Sequence, residues 1–383
     1  MKIEILAGDL ASAALYALTG IPAKPDVPVL AGMKIVASEG QIVLTGSDRD
    51  TIATARADAN VIEPGEVVIG GRMFAGVAKG LPAKEPVQLV TEKDKLILGY
   101  GRGEYDLVAM VAGTYPDLPG PAQTIGKVPA DMLAAAISRA MIAVRHDDAV
   151  VELTTLQMIA GADCLTFNAT DGHRLVQATV PLQAEDGAEV PQMALLPGRH
   201  PAALAKAVPG EHDVLVGLSK DRGIVTFAAP ARALTCRVIG GEKFPKVERQ
   251  FTGAVPAATA VIDRKALLEA AARVATVADE GTPVYLKITP GEVRVTGGGG
   301  GGSGGETLWA ELDGEDQKFG FKPAYLREIL EAVGTQSVAF GFTGHRKPVL
   351  ITDGAQGKAH DDSFRMLLMP QTPDAVAEMA AKS

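Results

Sequence analysis

Residues 168–175 read NATDGHRL, setting an acid, an imidazole and a guanidinium side by side in an otherwise apolar, Ala/Val-rich chain. Asp171, His173 and Arg174 are residue types of general acid–base chemistry and of phosphate capture. They are also turn chemistry, because an Asp side chain bonds its own backbone and Gly172 accepts positive φ. A lone His in such a turn is more often structural than titrating. The surrounding chain decides between these readings. GSDRDT places Asp48 in a similar setting about 123 residues earlier, and TYPDLP and KFPKVE place Pro116 and Pro245 about 129 residues apart.

The spacing is that of a repeat, which has to be recognised before any single motif is interpreted. Amphipathic helix patterns start at Ala7 (AGDLASAALYAL), Pro129 (PADMLAAAISRAMIAV) and Asp263 (DRKALLEAAARVATVA). A second helix pattern follows in each block: GGRMFAGVAKGL from Gly70, PGRHPAALAKAV from Pro197 and FKPAYLREILEAVG from Phe321. Between them lie short alternating runs that predict strands, among them MKIVAS, QIVLTGS, CLTFNAT, RLVQATV, PVYLKIT and SVAFGFT. A triplicated α+β unit fits the 383-residue length. TGGGGGGSGGET at 296–307 lacks the GK[ST] ending of a phosphate loop and is expected to be a flexible surface loop.

Composition narrows the function. Apolar content of 47% with 22% charge is that of a folded, soluble chain. The first ten residues carry charges where a signal peptide would be apolar, and Arg139 interrupts the longest apolar stretch, so a cytoplasmic protein without a membrane span is expected. Cys164 and Cys236 predict two buried free thiols. Six histidines without HExxH spacing give no metal signature, and no loop predicts a cofactor. The net charge of −9 argues against nucleic acid until it is divided. Eleven basic and six acidic residues on or bordering the six helix patterns give those segments +5 and leave −14 for the rest. Basic helices on an acidic body suit diffuse attraction to phosphate, equally with simple solvated faces.

Several stretches together resemble one family. They are Lys24-Pro25 leading to PVL at 28–30, SDRDT at 47–51, TYPDLP at 114–119, ATDGHRL at 169–175, FPKVERQF at 244–251, GFKPAYL at 320–326, KPVLI at 347–351 and LLMP at 367–370. The chain is similar, over nearly its full length, to the bacterial β sliding clamps, processivity subunits of DNA polymerase III. The resemblance implies an α+β fold of three repeated clamp domains, each with two helices and antiparallel sheets, at 1–122, 123–253 and 254–371, with a C-terminal tail at 372–383. It implies a head-to-tail homodimer closing into a six-domain ring whose helices line a hole around duplex DNA. A closed ring slides without dissociating and needs only weak phosphate contacts.

By the same resemblance, the chain is a non-catalytic subunit. A hydrophobic cleft between the second and third domains would take short linear motifs from the polymerase III alpha subunit, the clamp loader, other polymerases and repair proteins. Residues carried over to it are Leu153, Thr170, Gly172, His173, Arg174, Leu175, Pro245 and Arg249, with Tyr325, Pro348, Leu367, Leu368, Met369 and Pro370. DNA-facing positions are Lys24, Arg72, Lys79, Arg139, Arg145, Arg199 and Lys206. Tyr105 and Leu107 on a first-domain edge strand would meet Arg273 and Val277 of another subunit. Departures from the family pattern concern the cleft: DDAVVELTTL ahead of it, Gln250 where an apolar residue is common, and Lys322 where Asn is frequent. They raise an alternative, a clamp paralogue whose altered cleft confers resistance to a clamp-binding antibiotic.

Overall fold

The computed structural model describes residues 1–110, 113, 115–145, 150–188, 192–198, 212–219, 221, 223–240, 244–344, 346–354 and 363–371. The chain divides into two compact units. The first takes Met1–Ala134, Ala160–Asp163 and Pro181–Gly240; the second takes Ala135–Ile159, Cys164–Val180 and Gly241–Ser383.

Six α-helices occur among the described residues: α1 (Ala7–Ala17), α2 (Gly71–Gly80), α3 (Ala130–Met141), α4 (Val247–Thr252), α5 (Arg264–Thr276) and α6 (Pro323–Ala332). All but α4 fall on the amphipathic patterns, and the pattern at 197–208 lies outside the described residues beyond Gly198. In α1 the buried positions Leu10, Ala13, Ala14 and Ala17 follow the helical repeat, and the three alanines bring the helix close to its sheet. The Asp263 side chain caps α5 by accepting from the Ala266 N–H at 2.8 Å. Arg264 donates to the carbonyls of Leu330 at 3.1 Å and Thr335 at 3.0 Å, closing the C-terminal end of α6. Its charge is therefore spent inside the fold.

In the first unit a 14-stranded antiparallel sheet runs without interruption from one repeat into the next. The joint is the pairing of Thr51–Asp58 with Arg232–Arg237. The second unit repeats this device, pairing Arg174–Pro181 with Phe364–Leu368. Each joint strand follows an Asp turn, at Asp48 and at Asp171, and each covers a sheet edge that would otherwise present unpaired backbone. Cys236 sits at the first joint, where burial, reinforced by the Asp48 charge, pushes its thiol up to about 12. Neither cysteine forms a disulfide; Cys236 is buried and Cys164 half-buried.

The glycine-rich run is not a loop. Glu292–Gly299 and Gly302–Leu308 form a hairpin in register from Val293↔Leu308 to Gly299↔Gly302. The glycines are there for close approach. A Cβ on Gly297 would lie 2.8 Å from the Val274 side chain and one on Gly304 3.0 Å from that of Val277, so the hairpin lies directly against α5 and the residues after it. Asp279 accepts from the Gly300 N–H at 2.8 Å and fixes the turn. Low complexity in the sequence concealed a packing requirement.

Candidate functional site

The turn that opens Arg174–Pro181 is closed by its own side chains. The Asp171 Oδ1 accepts from the N–H groups of His173 and Arg174, each at 2.9 Å, and Gly172 takes φ +90°. Thr170 Oγ1 donates to the Arg174 carbonyl at 2.8 Å and accepts from the Gly172 N–H at 3.2 Å. The other Asp171 oxygen accepts from Arg174 Nε at 3.0 Å. With both oxygens committed, the carboxylate is a structural anchor and not a general base.

Arg174 organises what surrounds it. Its side chain is 7% exposed, its guanidinium stands 4.4 Å from the centre of the Tyr325 ring, and its Nη1 lies 2.6 Å from the Glu328 carboxylate. That approach is off the N–H directions, so Nη1 is ion-paired yet makes no directed hydrogen bond. Lys322 Nζ sits 4.8 Å from the same ring, and the exposed His173 imidazole lies 6.1 Å from it. Burial, together with the Asp171 charge, raises the Tyr325 phenol above its ordinary value. Met369, 42% exposed, is tied to the turn by its N–H, which donates to the His173 carbonyl at 2.9 Å. His173, Arg174, Tyr325 and Met369 thus come together, with Thr170 and Gly172 holding the turn.

The remaining cleft residues are divided by the sheet. Arg174 pairs opposite Leu368, whereas Leu175 pairs opposite Leu367, and directly opposed residues share a face. On the Leu175 face, Leu175 and Leu367 join Val247 and Phe251 of α4 in one cluster, with Phe244 and Leu350 packed against it. Leu368 is 1% exposed, so it is core and not cleft wall. Leu175 and Leu367, at 8% and 5%, are the floor beneath α4. Pro245 and Arg249 are exposed around that helix, while Leu153 and Pro348 are half-buried. Sequence reasoning missed α4, whose signal was the pair Val247 and Phe251 four residues apart.

A buried polar line crosses this face. Arg365 Nε donates to Gln177 at 2.7 Å, Gln177 to Asn168 at 2.9 Å, and Asn168 to Gln157 at 2.8 Å. Arg365 also covers the Phe251 ring at 4.5 Å and lies 3.5 Å from Glu248, securing α4.

The basic positions separate in the same way. Lys24, Arg72 and Lys79 are exposed, and Arg145 is half-buried. Arg139 is not free for phosphate: it lies 3.3 Å from the buried Asp353 carboxylate and over the Phe364 ring. Arg199 and Lys206 lie outside the described residues. Tyr105 is 40% exposed on Gly103–Met110, which has an open edge except where Ala109 and Met110 pair with Ile69 and Val68. Leu107 is 5% exposed and belongs to the core; Val108, 73% exposed, is the apolar side chain available there. Alternation along the strand accounts for the exchange. Arg273 makes two 2.7 Å bonds to Glu306, beside the exposed Val277. Glu306 lies on Gly302–Leu308, the outermost strand of its four-stranded sheet. Among the described residues no group of His, Cys, Asp and Glu could hold a metal, and no helix is long and apolar enough to cross a membrane.

Comparisons with known proteins agree along the whole chain. Family models of the DNA polymerase III beta subunit match in order: N-terminal domain at residues 1–119, central domain at 127–246 and C-terminal domain at 254–372. The beta sliding clamp of Streptomyces coelicolor is 30% identical over 375 residues, covering 97% of this chain and 99% of that protein. The beta sliding clamp homolog GriR of Streptomyces muensis is 28% identical, with coverage of 97% and 99%. The fold is that of the Pseudomonas aeruginosa sliding clamp solved with griselimycin, at a TM-score of 0.87, 23% identity and coverage of 97% and 99%. With three consecutive domain matches and a 30% identical relative aligned end to end, the chain belongs to the bacterial β sliding clamp family, the beta subunit of DNA polymerase III.

Proposed function

We propose that this chain is a non-catalytic processivity factor, a clamp that encircles duplex DNA and tethers the replicative polymerase and other peptide-motif partners in the cytoplasm. The observation that carries it is the ordered match of all three domains. The domain limits at 1–122, 123–253 and 254–371 go with that reading. Two open strand edges, Gly103–Met110 and Gly302–Leu308, are complementary candidates for a head-to-tail joint, because each needs a partner strand. Among the described residues, the cations assigned to the duplex are Lys24, Arg72 and Lys79, all exposed, and the half-buried Arg145. Loaded onto nicked circular DNA, the protein is expected to remain through gel filtration and to be lost when the circle is linearised. Equal loss from both forms would overturn the ring.

Partner peptides are assigned to the surface around His173, Tyr325 and Met369, with Pro245 and Arg249 at its α4 side. Binding of a polymerase-derived clamp-motif peptide is expected near the micromolar range, about −8 kcal/mol. Tyr325→Ala should weaken it at least about tenfold while retention on nicked circles persists. Unchanged affinity would remove Tyr325 from the site.

A second reading, an antibiotic-resistance paralogue, is favoured by two features: an exposed Gln250 on α4, and the depth of Leu175 and Leu367 beneath that helix. The same titration with griselimycin tests it. Affinity equal to that of an ordinary clamp would count against it.

A further inference from the structure

The four-stranded sheet of the second unit carries an unexplained row of charge on its solvent face. Lys287 pairs directly opposite Arg294 on one side and opposite Lys318 on the other. Burial alternates cleanly: Val284, Leu286 and Ile288 face the core, whereas Lys287, Arg294 and Lys318 are exposed. Three cations thus stand abreast on neighbouring strands about 4.8 Å apart. Among the described residues none of the three has an ion pair or a side-chain hydrogen bond. Glu292 shares the face two residues from Arg294 but does not pair with it. Like charges directly opposed on a sheet destabilise it. A fold that keeps such a row has an anion to set against it.

The adjoining row indicates which anion. Tyr285 pairs opposite Thr296 and Gly320, and its half-exposed ring leans over Gly320, passing 2.8 Å from where a Cβ would stand, with the Gln371 carbonyl oxygen 2.6 Å from the same point. The Arg294 guanidinium likewise reaches over Gly305, 3.8 Å from the corresponding position. An aromatic ring leaning over Gly320 therefore stands beside a line of cations. Phosphates satisfy the cations and an unpaired base stacks on the ring; duplex DNA offers no free base face, and an acidic peptide leaves the tyrosine unused.

We infer that the face formed by Tyr285, Lys287, Arg294 and Lys318 binds single-stranded DNA, separately from the duplex site. The inference stands on the sheet alone, so its failure would leave retention on nicked circles untouched, and the converse holds as well.

The test is fluorescence anisotropy of the full-length protein with a labelled oligothymidylate of about twelve nucleotides. Three neutralised phosphates give a log–log salt slope of about −2. Lys287→Glu and Tyr285→Ala should each weaken binding about tenfold or more. Lys287→Glu should not lower the melting temperature, because it sets an acid between two cations. Absence of binding by the wild type, or unchanged affinity in either variant, overturns the inference. So does competition by a duplex or by oligoglutamate as effective as competition by unlabelled oligothymidylate.

Discussion

Gly46→Ala is expected to destabilise the protein by about 3 kcal/mol or more, although it adds a single methyl group. That methyl would stand 2.2 Å from the Ala17 carbonyl oxygen and 2.7 Å from the Ile21 side chain. Gly20 faces it in the same contact, where a Cβ would meet the Gly46 carbonyl oxygen at 2.3 Å. The end of α1 therefore docks on the sheet backbone to backbone, and backbone cannot rotate away as a side chain can. Gly76, inside α2, is the matched control because a Cβ there meets nothing within 4 Å. Gly76→Ala should gain about 0.5–1 kcal/mol from helix propensity alone. Urea unfolding of the two variants measures both, and a Gly46→Ala midpoint equal to wild type would disprove the close-docking argument.

The second large effect is expected from Arg174→Ala. Removal of the guanidinium strands the Asp171 oxygen it held at 3.0 Å and the Glu328 carboxylate at 2.6 Å, and takes the cation off the Tyr325 ring. Breaking a buried pair from one side costs about 3–5 kcal/mol. The lower end is expected here, because Glu328 is 34% exposed and regains water. The turn itself should survive, since Asp171 Oδ1 bonds to backbone N–H groups that the substitution retains. The urea midpoint and the affinity for a clamp-motif peptide should therefore fall together, the second through a freed Tyr325 ring. A variant with wild-type stability would show that the guanidinium is dispensable to the fold.

Much of this architecture is legible in the sequence. Helical periodicity marked α1, α2, α3, α5 and α6, and the recurrence of Asp48 and Asp171 marked the repeat, though not the sheet joints whose strands they precede. What escaped has a common physical origin, namely that it depends on neighbours distant in sequence. Leu107 and Val108 look alike as apolar edge residues until the pleat assigns Leu107 to the core and Val108 to solvent. Leu367 and Leu368 both read as cleft wall, yet adjacent strand residues face opposite ways. Arg139 and Arg264 count as helix charge in a tally, whereas Asp353 and the α6 carbonyls consume them. The glycine run was misleading for the opposite reason: its composition suggests freedom, and its contacts with Val274 and Val277 require the absence of side chains.

The line from Arg365 through Gln177 and Asn168 to Gln157 has a direction, and the direction is forced. A carboxamide can turn over and exchange donor for acceptor, so three amides linked by themselves would have two degenerate arrangements, all pointing one way or all the other. A guanidinium has no acceptor. Placed at one end, Arg365 permits only the arrangement in which every amide oxygen faces back toward it. One permanent charge thereby removes a twofold ambiguity from three uncharged residues, and the buried face under α4 has a single electrostatic polarity.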